Sequence, residues 1–310
     1  GVMGALLAIL VDRGLLEPQA PVSRYWPEFA AAGKAAITVA QLFSHQAGLP
    51  LLDANQSLAL AADREALARA LAAQAPLWRP GSAHGYHAIT LGNYADILFE
   101  RASGKGMCAL LAEFAPQMGA EVYCGLPREH WHRAVRVLPA LPPATPAAAP
   151  AIEPGSLPFR VITNMPEYLG NPQAFFNGEG IRQVCLPGTN MFSNARSLAR
   201  LYAGLLAGGI WNGQRLCSPE AIATVTTERV RGMDLVNNAE MAYGLAFQKP
   251  CQFSPFSPNR AAYGHCGVGG SAAFADPDRG LTMAWIPSRF SAQSFDRRAQ
   301  AVIDAVYAAL

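Results

Sequence analysis

Apolar residues run almost unbroken from Gly1 to Leu10 (GVMGALLAIL), and polarity returns only at Asp12 and Arg13. A surface helix shows one apolar stripe, so a helix that is apolar all round belongs inside a core. The run therefore predicts a buried helix over the first sixteen residues, around which the rest of the chain is organised. Gly14 can take the left-handed C′ position and Leu15 can fold back onto Leu10, as in a Schellman ending. No Ser, Thr, Asp or Asn caps the start. A buried helix with an end and no beginning predicts a chain cut just in front of it, where free N–H groups and a positive dipole end would face whatever stood there.

Beyond this helix the pattern is mostly helical. Glu17 to Phe29, with Pro18, Pro21 and Pro27, reads as an extended surface loop. Thr38 and Gln41 form a capping box, and Ile37 with Leu42 a hydrophobic staple, so a short helix starts there and stops by Gly48. Asp63 caps the next helix, with Leu67 and Leu71 on one face. Trp78-Arg79-Pro80-Gly81 is a turn that delivers Ser82 to His87 to a third helix, through Leu91, Tyr94 and Leu98 to about Gly104. Leu138 to Pro158 is Pro- and Ala-rich and reads as a long loop. Helices resume from Ser193 or Asn194 through Leu198, Leu201 and Leu205 to Gly208-Gly209, and again from Ser218-Pro219-Glu220. Past Met241 the period changes. Ser271–Ala275 and Leu281–Ile286 flank Asp276-Pro277-Asp278-Arg279-Gly280, a β-hairpin pattern. Phe295 to Leu310 is a closing amphipathic helix. One domain over 1–310 is expected, helical over about 17–235, with a sheet and helix over about 236–310.

Composition narrows the partners. The chain has 310 residues, 51% hydrophobic and 15% charged, with net charge +2 and no run of like charges, which does not indicate nucleic acid or an anionic membrane. No apolar stretch reaches the ~18 residues of a spanning helix. The opening run lacks a signal peptide's basic start and small-residue cleavage chemistry. Six cysteines (Cys108, Cys124, Cys185, Cys217, Cys251, Cys266) form no C-x-x-C pair and read as unpaired thiols, favouring a reducing, cytoplasmic setting. No cofactor is called for, and the oligomeric state is left open.

Chemistry concentrates in Ala83-His84-Gly85-Tyr86-His87-Ala88, on a turn before a helix, and in Gly264-His265-Cys266-Gly267-Val268-Gly269-Gly270-Ser271, a glycine-rich strand entry. Each has a plainer reading: Tyr86 as a packing tyrosine, His265 as a satisfied buried histidine. The glycine run is no phosphate cradle, because a strand pattern and not a helix follows it. A metal site would need His84, His87 and His265 to converge, with His130 and His132 as further ligands, but no Asp, Glu or Cys stands at ligand spacing beside them. Gly-x-Ser-x-Gly is absent, so an α/β-hydrolase elbow is not supported.

Four blocks in order, LVDRGLL at Leu10–Leu16, ITVAQLFSHQAGLP at Ile37–Pro50, PGSAHGYHAIT at Pro80–Thr90 and GHCGVGGSAAFADP at Gly264–Pro277, resemble the β-lactamase-related serine hydrolases. Within that superfamily the chain is most similar to family VIII carboxylesterases. The resemblance implies an α/β (α+β) fold of the serine β-lactamase/transpeptidase kind: an antiparallel sheet flanked by helices, a helical region, and N-terminal strands that this chain lacks. It implies Tyr86 as the catalytic tyrosine and His265-Cys266-Gly267 as the third motif, with His265 catalytic. Gly267, Val268 and His87 are implied as oxyanion and substrate contacts, Val268 through its N–H. In that family a Ser-x-x-Lys motif opens the central helix. Here the lysines are Lys34, Lys105 and Lys249, and Ala31, Ala102 and Ala246 stand three residues before them, so the motif is absent. The expectation is a carboxylesterase on small neutral esters, inactive as this chain stands. The alternatives are a non-catalytic paralogue acting as a binding module, and a β-lactamase or D-Ala-D-Ala peptidase.

Overall fold

A computed structural model describes residues 1–141, 152–291 and 295–310. In chain order the elements are α1 (Val2–Asp12), α2 (Val39–Phe43), α3 (Leu58–Ala62), α4 (Arg64–Ala73), α5 (Thr90–Ser103), α6 (Met107–Gln117) and β1 (Val122–Cys124). Four short helices follow, α7 (Leu157–Ile162), α8 (Pro166–Gly170), α9 (Pro172–Asn177) and α10 (Glu179–Gln183), then β2 (Met191–Ser193) and α11 (Ala195–Leu206). The remainder is β3 (Ile210–Trp211), β4 (Gln214–Arg215), α12 (Pro219–Thr226), β5 (Val230–Asp234), β6 (Ala239–Tyr243), β7 (Tyr263–Cys266), β8 (Ala272–Asp276), β9 (Leu281–Trp285) and α13 (Arg297–Ala308).

The apolar opening is the buried helix its pattern demands: Ala5 to Leu10 are each no more than 1% exposed. Its ending is a Schellman motif. Gly14, at φ +68°, donates to the Val11 carbonyl at 3.0 Å and Leu15 to the Leu10 carbonyl at 2.9 Å. The other local signals hold as well. Thr38 Oγ1 accepts from the Gln41 N–H at 3.1 Å while Gln41 Oε1 accepts from the Thr38 N–H at 3.0 Å. Asp63, Asn194 and Ser218 each accept from a backbone N–H in the first turn of α4, α11 and α12. Gly104 closes α5 in the left-handed conformation.

The stretch from Glu17 to Phe29 is not the surface loop its prolines suggest. It folds into two 3₁₀ turns, Val22–Arg24 and Pro27–Ala30, that sink Val22, Trp26 and Phe29 into the core. Pro27 opens the second turn and so organises it. Of the Pro-rich loop expected over Leu138–Pro158, residues 142–151 lie outside the described residues. Leu138 itself is tied to the far end of the chain, donating to the Ser288 carbonyl at 2.7 Å and accepting from the Phe290 N–H at 3.0 Å.

The C-terminal sheet is antiparallel. β5 pairs with β6, and β7, β8 and β9 pair in that order, with Gln248 bridging Tyr243 of β6 and Gly264 of β7. Strands thus begin at Val230, a little before the boundary near 236, and short pairs β1–β2 and β3–β4 interrupt the helical stretch. The two faces of the sheet carry different cores. Ala273 and Ala275 of β8 join α1 and α11 in the main core, while Phe274 meets Phe256, Ala262 and Ile303 of α13 on the other side. The alternation of β8 side chains makes that division. Among the described residues β9 pairs only with β8, and all five of its residues are half-buried.

Candidate active site

Between α1, the turn before α5 and strands β7–β8 lies a cavity of ≈ 260 Å³. Its wall includes Gly1 to Met3 at the N-terminal end of α1, Tyr86 to Ala88, and His265 and Gly267. Pro187 to Thr189 close another side. They approach the start of α5 backbone to backbone, so that a Cβ at Gly92 would collide with Gly188. Two chain segments about a hundred residues apart therefore meet at glycines because nothing larger fits.

The tyrosine turn is held from below by a buried carboxylate. Asp234, fully buried at the end of β5, accepts from the Tyr86 N–H at 3.1 Å, the Val236 N–H at 3.0 Å, the Asn237 N–H at 2.8 Å and the Tyr243 hydroxyl at 3.2 Å. The Leu235 N–H adds a bond to the His84 carbonyl at 3.0 Å. Tyr243 in turn stacks parallel to Tyr86, ring centroids 6.3 Å apart. The third support is His45, in the left-handed conformation at φ +62° just after α2. Its Nδ1 accepts from the His87 N–H at 3.0 Å, and its ring packs on Tyr243 at 4.4 Å and Tyr86 at 5.1 Å.

Histidines here are uncharged. His87 Nε2 accepts from the Leu49 N–H at 2.8 Å, so its Nδ1 carries the proton and donates to the Gly85 carbonyl at 2.5 Å. Burial lowers its pKa to about 4. Burial lowers His265 to about 3, and burial first, then the neighbouring histidines, holds His45 well below its usual value. The phenol of Tyr86 moves the other way. Burial raises it, with smaller contributions from Cys266 and Asp234, so it is a protonated phenol at neutral pH. To act as a base it needs a cation beside it. None of the lysines lines this cavity. Lys34 Nζ is buried against the carbonyls of Ala31, Ala72 and Gln74, Lys105 pairs with Glu113, and Lys249 donates to the carbonyls of Thr226 and Ala261.

Of the residues singled out in the sequence, Tyr86, His87, His265 and Gly267 share this wall, with Tyr86 and His265 rings 6.0 Å apart. Their individual parts differ. His87 has both ring nitrogens bonded to backbone groups, so it orders the turn. Gly267 spends its N–H on the Ser271 carbonyl at 2.8 Å and serves as a gap in the wall, since a Cβ there would strike Ser271 Oγ. Val268 is 63% exposed and does not line the cavity, although it follows Gly267 of the wall, and its N–H makes no hydrogen bond among the described residues. Cys266 faces away from the cavity and packs beside Phe256, Phe274 and Ile303. The histidine metal site considered above does not form: His87 has no free lone pair, and His130 and His132 sit on a separate 3₁₀ turn, Arg128–Arg133. His45, Asp234 and Tyr243 escaped the sequence reading altogether.

A cleft bounded by a helix N-terminus, a tyrosine turn and a strand with a glycine exit is the layout of the serine β-lactamase/transpeptidase fold. The chain belongs to the β-lactamase family, whose model matches residues 1–307. An esterase/β-lactamase of Mycobacterium tuberculosis, LipL, is 30% identical over 294 residues, 93% of this chain and 67% of LipL. The solved structure of a family VIII carboxylesterase is 33% identical with a TM-score of 0.88, covering 100% of this chain and 81% of the other. EstA from Arthrobacter nitroguajacolicus (31%, TM-score 0.85, 99% and 82%) and a penicillin-binding protein homologue from Caulobacter crescentus (36%, 0.84, 100% and 81%) are similar too.

Proposed function

We propose that the cavity is the acyl-binding site of a carboxylesterase acting on small neutral esters, and that residues 1–310 alone do not turn substrate over. The observation that carries this is the shared wall: the first turn of α1 borders the same space as Tyr86, His265 and Gly267. A serine at such a helix start would attack an ester carbonyl where the helix dipole favours the developing oxyanion. A buried lysine one turn on would take its proton, and its charge would let Tyr86 relay that proton to the leaving alcohol. The family resemblance assigns the oxyanion contact to the Val268 N–H, which carries no hydrogen bond among the described residues.

Preference for neutral esters follows from what is missing around that chemistry. His265 is neutral and Cys266 points to the other side of the sheet, so neither grips a substrate carboxylate. Ala88, on the wall two residues after Tyr86, offers no hydrogen bond to a substrate amide, and such an amide buried without a partner costs about 1–3 kcal/mol. The relative named a family VIII carboxylesterase supports ester chemistry, while LipL is named both esterase and β-lactamase. The test compares the chain as it stands with one carrying a Ser-x-x-Lys segment directly ahead of Gly1. The first should leave p-nitrophenyl butyrate and a fluorophosphonate probe untouched, and the second should consume both. Stoichiometric labelling of a serine in the unextended chain would overturn the proposal.

A further inference from the structure

Away from this cavity, three thiols that are distant in sequence come together. Cys108 lies on α6, Cys124 ends β1, and Cys185 follows α10, yet their sulfurs all lie within 4.8 Å of one another. Cys124 and Cys185 sulfurs are 3.4 Å apart, and Cys108 Sγ donates to the Cys124 carbonyl at 3.1 Å. None is in a disulfide. The cluster opens on a groove lined also by Trp131, Arg128 and Arg182.

We propose that Cys108, Cys124 and Cys185 form a three-thiolate site for a thiophilic divalent cation of the zinc class. Zn–S bonds of about 2.3 Å at tetrahedral angles put the sulfurs roughly 3.8 Å apart, so a cluster whose sulfurs are 3.4 Å apart at the closest pair and within 4.8 Å throughout needs each separation to change by no more than about 1 Å. Sulfur donors select zinc-like ions over calcium or magnesium, which take oxygen. On binding, each remaining S–H bond breaks, its proton leaves to solvent, and an S–metal bond forms; no electron is transferred. Three thiolates and a divalent ion carry one net negative charge. The Arg64 guanidinium acts electrostatically on Cys108 and offsets part of that charge. The exposed side of Cys108 leaves the fourth position open to the groove. Occupancy would tie α6, β1 and the segment after α10 together. That segment runs on as Pro187 to Thr189 of the cavity wall, so the ion would brace the cleft without touching substrate.

The reduced 310-residue chain, titrated with Cd²⁺ alone, should take up one ion with thiolate-to-cadmium absorption and proton release, and Zn²⁺ should displace it. Cys108→Ser and Cys185→Ser should each weaken uptake at least ~10–100-fold, the loss seen even for outer-shell partners of metal sites, while Cys251→Ser, outside the cluster, should not. X-ray absorption of the zinc-loaded wild type needs no variant and should find three sulfur neighbours. No uptake under reducing conditions, uptake indifferent to both serine variants, or a zinc shell without sulfur would each overturn the proposal.

Discussion

Replacing Asp234 should cost more than replacing any residue the sequence marks as catalytic. Among the described residues its carboxylate has no cationic partner in contact; four donors hold it, three part-buried backbone N–H groups and the buried Tyr243 hydroxyl. Asp234→Ala leaves all four unmet. At about 1 kcal/mol for each part-buried N–H and 1–3 for the buried hydroxyl, less the relief of no longer burying a charge, the loss is about 3–5 kcal/mol. That is a large share of the ~5–15 kcal/mol a domain has in total. Asp234→Asn keeps an oxygen for the N–H groups and turns its amide to the Tyr243 oxygen, so it should lose only about 1–2 kcal/mol. Urea unfolding followed by tryptophan fluorescence measures both at constant slope. An alanine variant within about 0.5 kcal/mol of wild type, or an asparagine variant as unstable as the alanine, would refute the reasoning that this carboxylate anchors the tyrosine turn.

Three further outcomes are expected. With Ser-x-x-Lys placed ahead of Gly1, Tyr86→Phe should lower kcat by roughly 10²–10⁴ with little change in stability, and a normal kcat would return Tyr86 to a packing role. His87 should make stability pH-dependent: the unfolded chain binds a proton at this histidine below about 6.5, whereas the folded chain does so only near 4. Stability is therefore complete above the unfolded pKa and falls by roughly 3 kcal/mol as pH drops towards the folded one, and a His87→Gln variant with the same pH slope as wild type would contradict this. Gly92→Ala should destabilise by about 1–3 kcal/mol because its methyl would have to displace the Gly188 backbone, and a neutral effect in thermal unfolding would show that this wall yields.

Legibility in the sequence followed the range of the interactions. Caps and helix ends are written within three to five residues, and Thr38, Asp63, Asn194, Ser218 and Gly14 all behave as their neighbours dictate. The β8–β9 hairpin, set by Pro277 and Gly280 between alternating residues, is equally local. Trp26 and Phe29 were hidden by prolines that suggest exposure but here only shape 3₁₀ turns. His45 and Asp234 could not be found locally, since they reach the tyrosine turn across 42 and 148 residues respectively. The same distance concealed the thiol cluster: Cys124 is 16 residues from Cys108 and 61 from Cys185, so no metal-ligand spacing registers. Tyr86 and His265 were recognisable only because their flanking blocks resemble a family.

The account rests most on the cleft being built for neutral esters, and one ratio tests that. On the chain extended by Ser-x-x-Lys ahead of Gly1, kcat/KM is measured for p-nitrophenyl butyrate and for nitrocefin under the same conditions. Neutral His265, Cys266 turned to the other face of the sheet, and Ala88 predict a larger value for the ester. A nitrocefin value equal to or above it would contradict the account and make the cleft that of a β-lactamase.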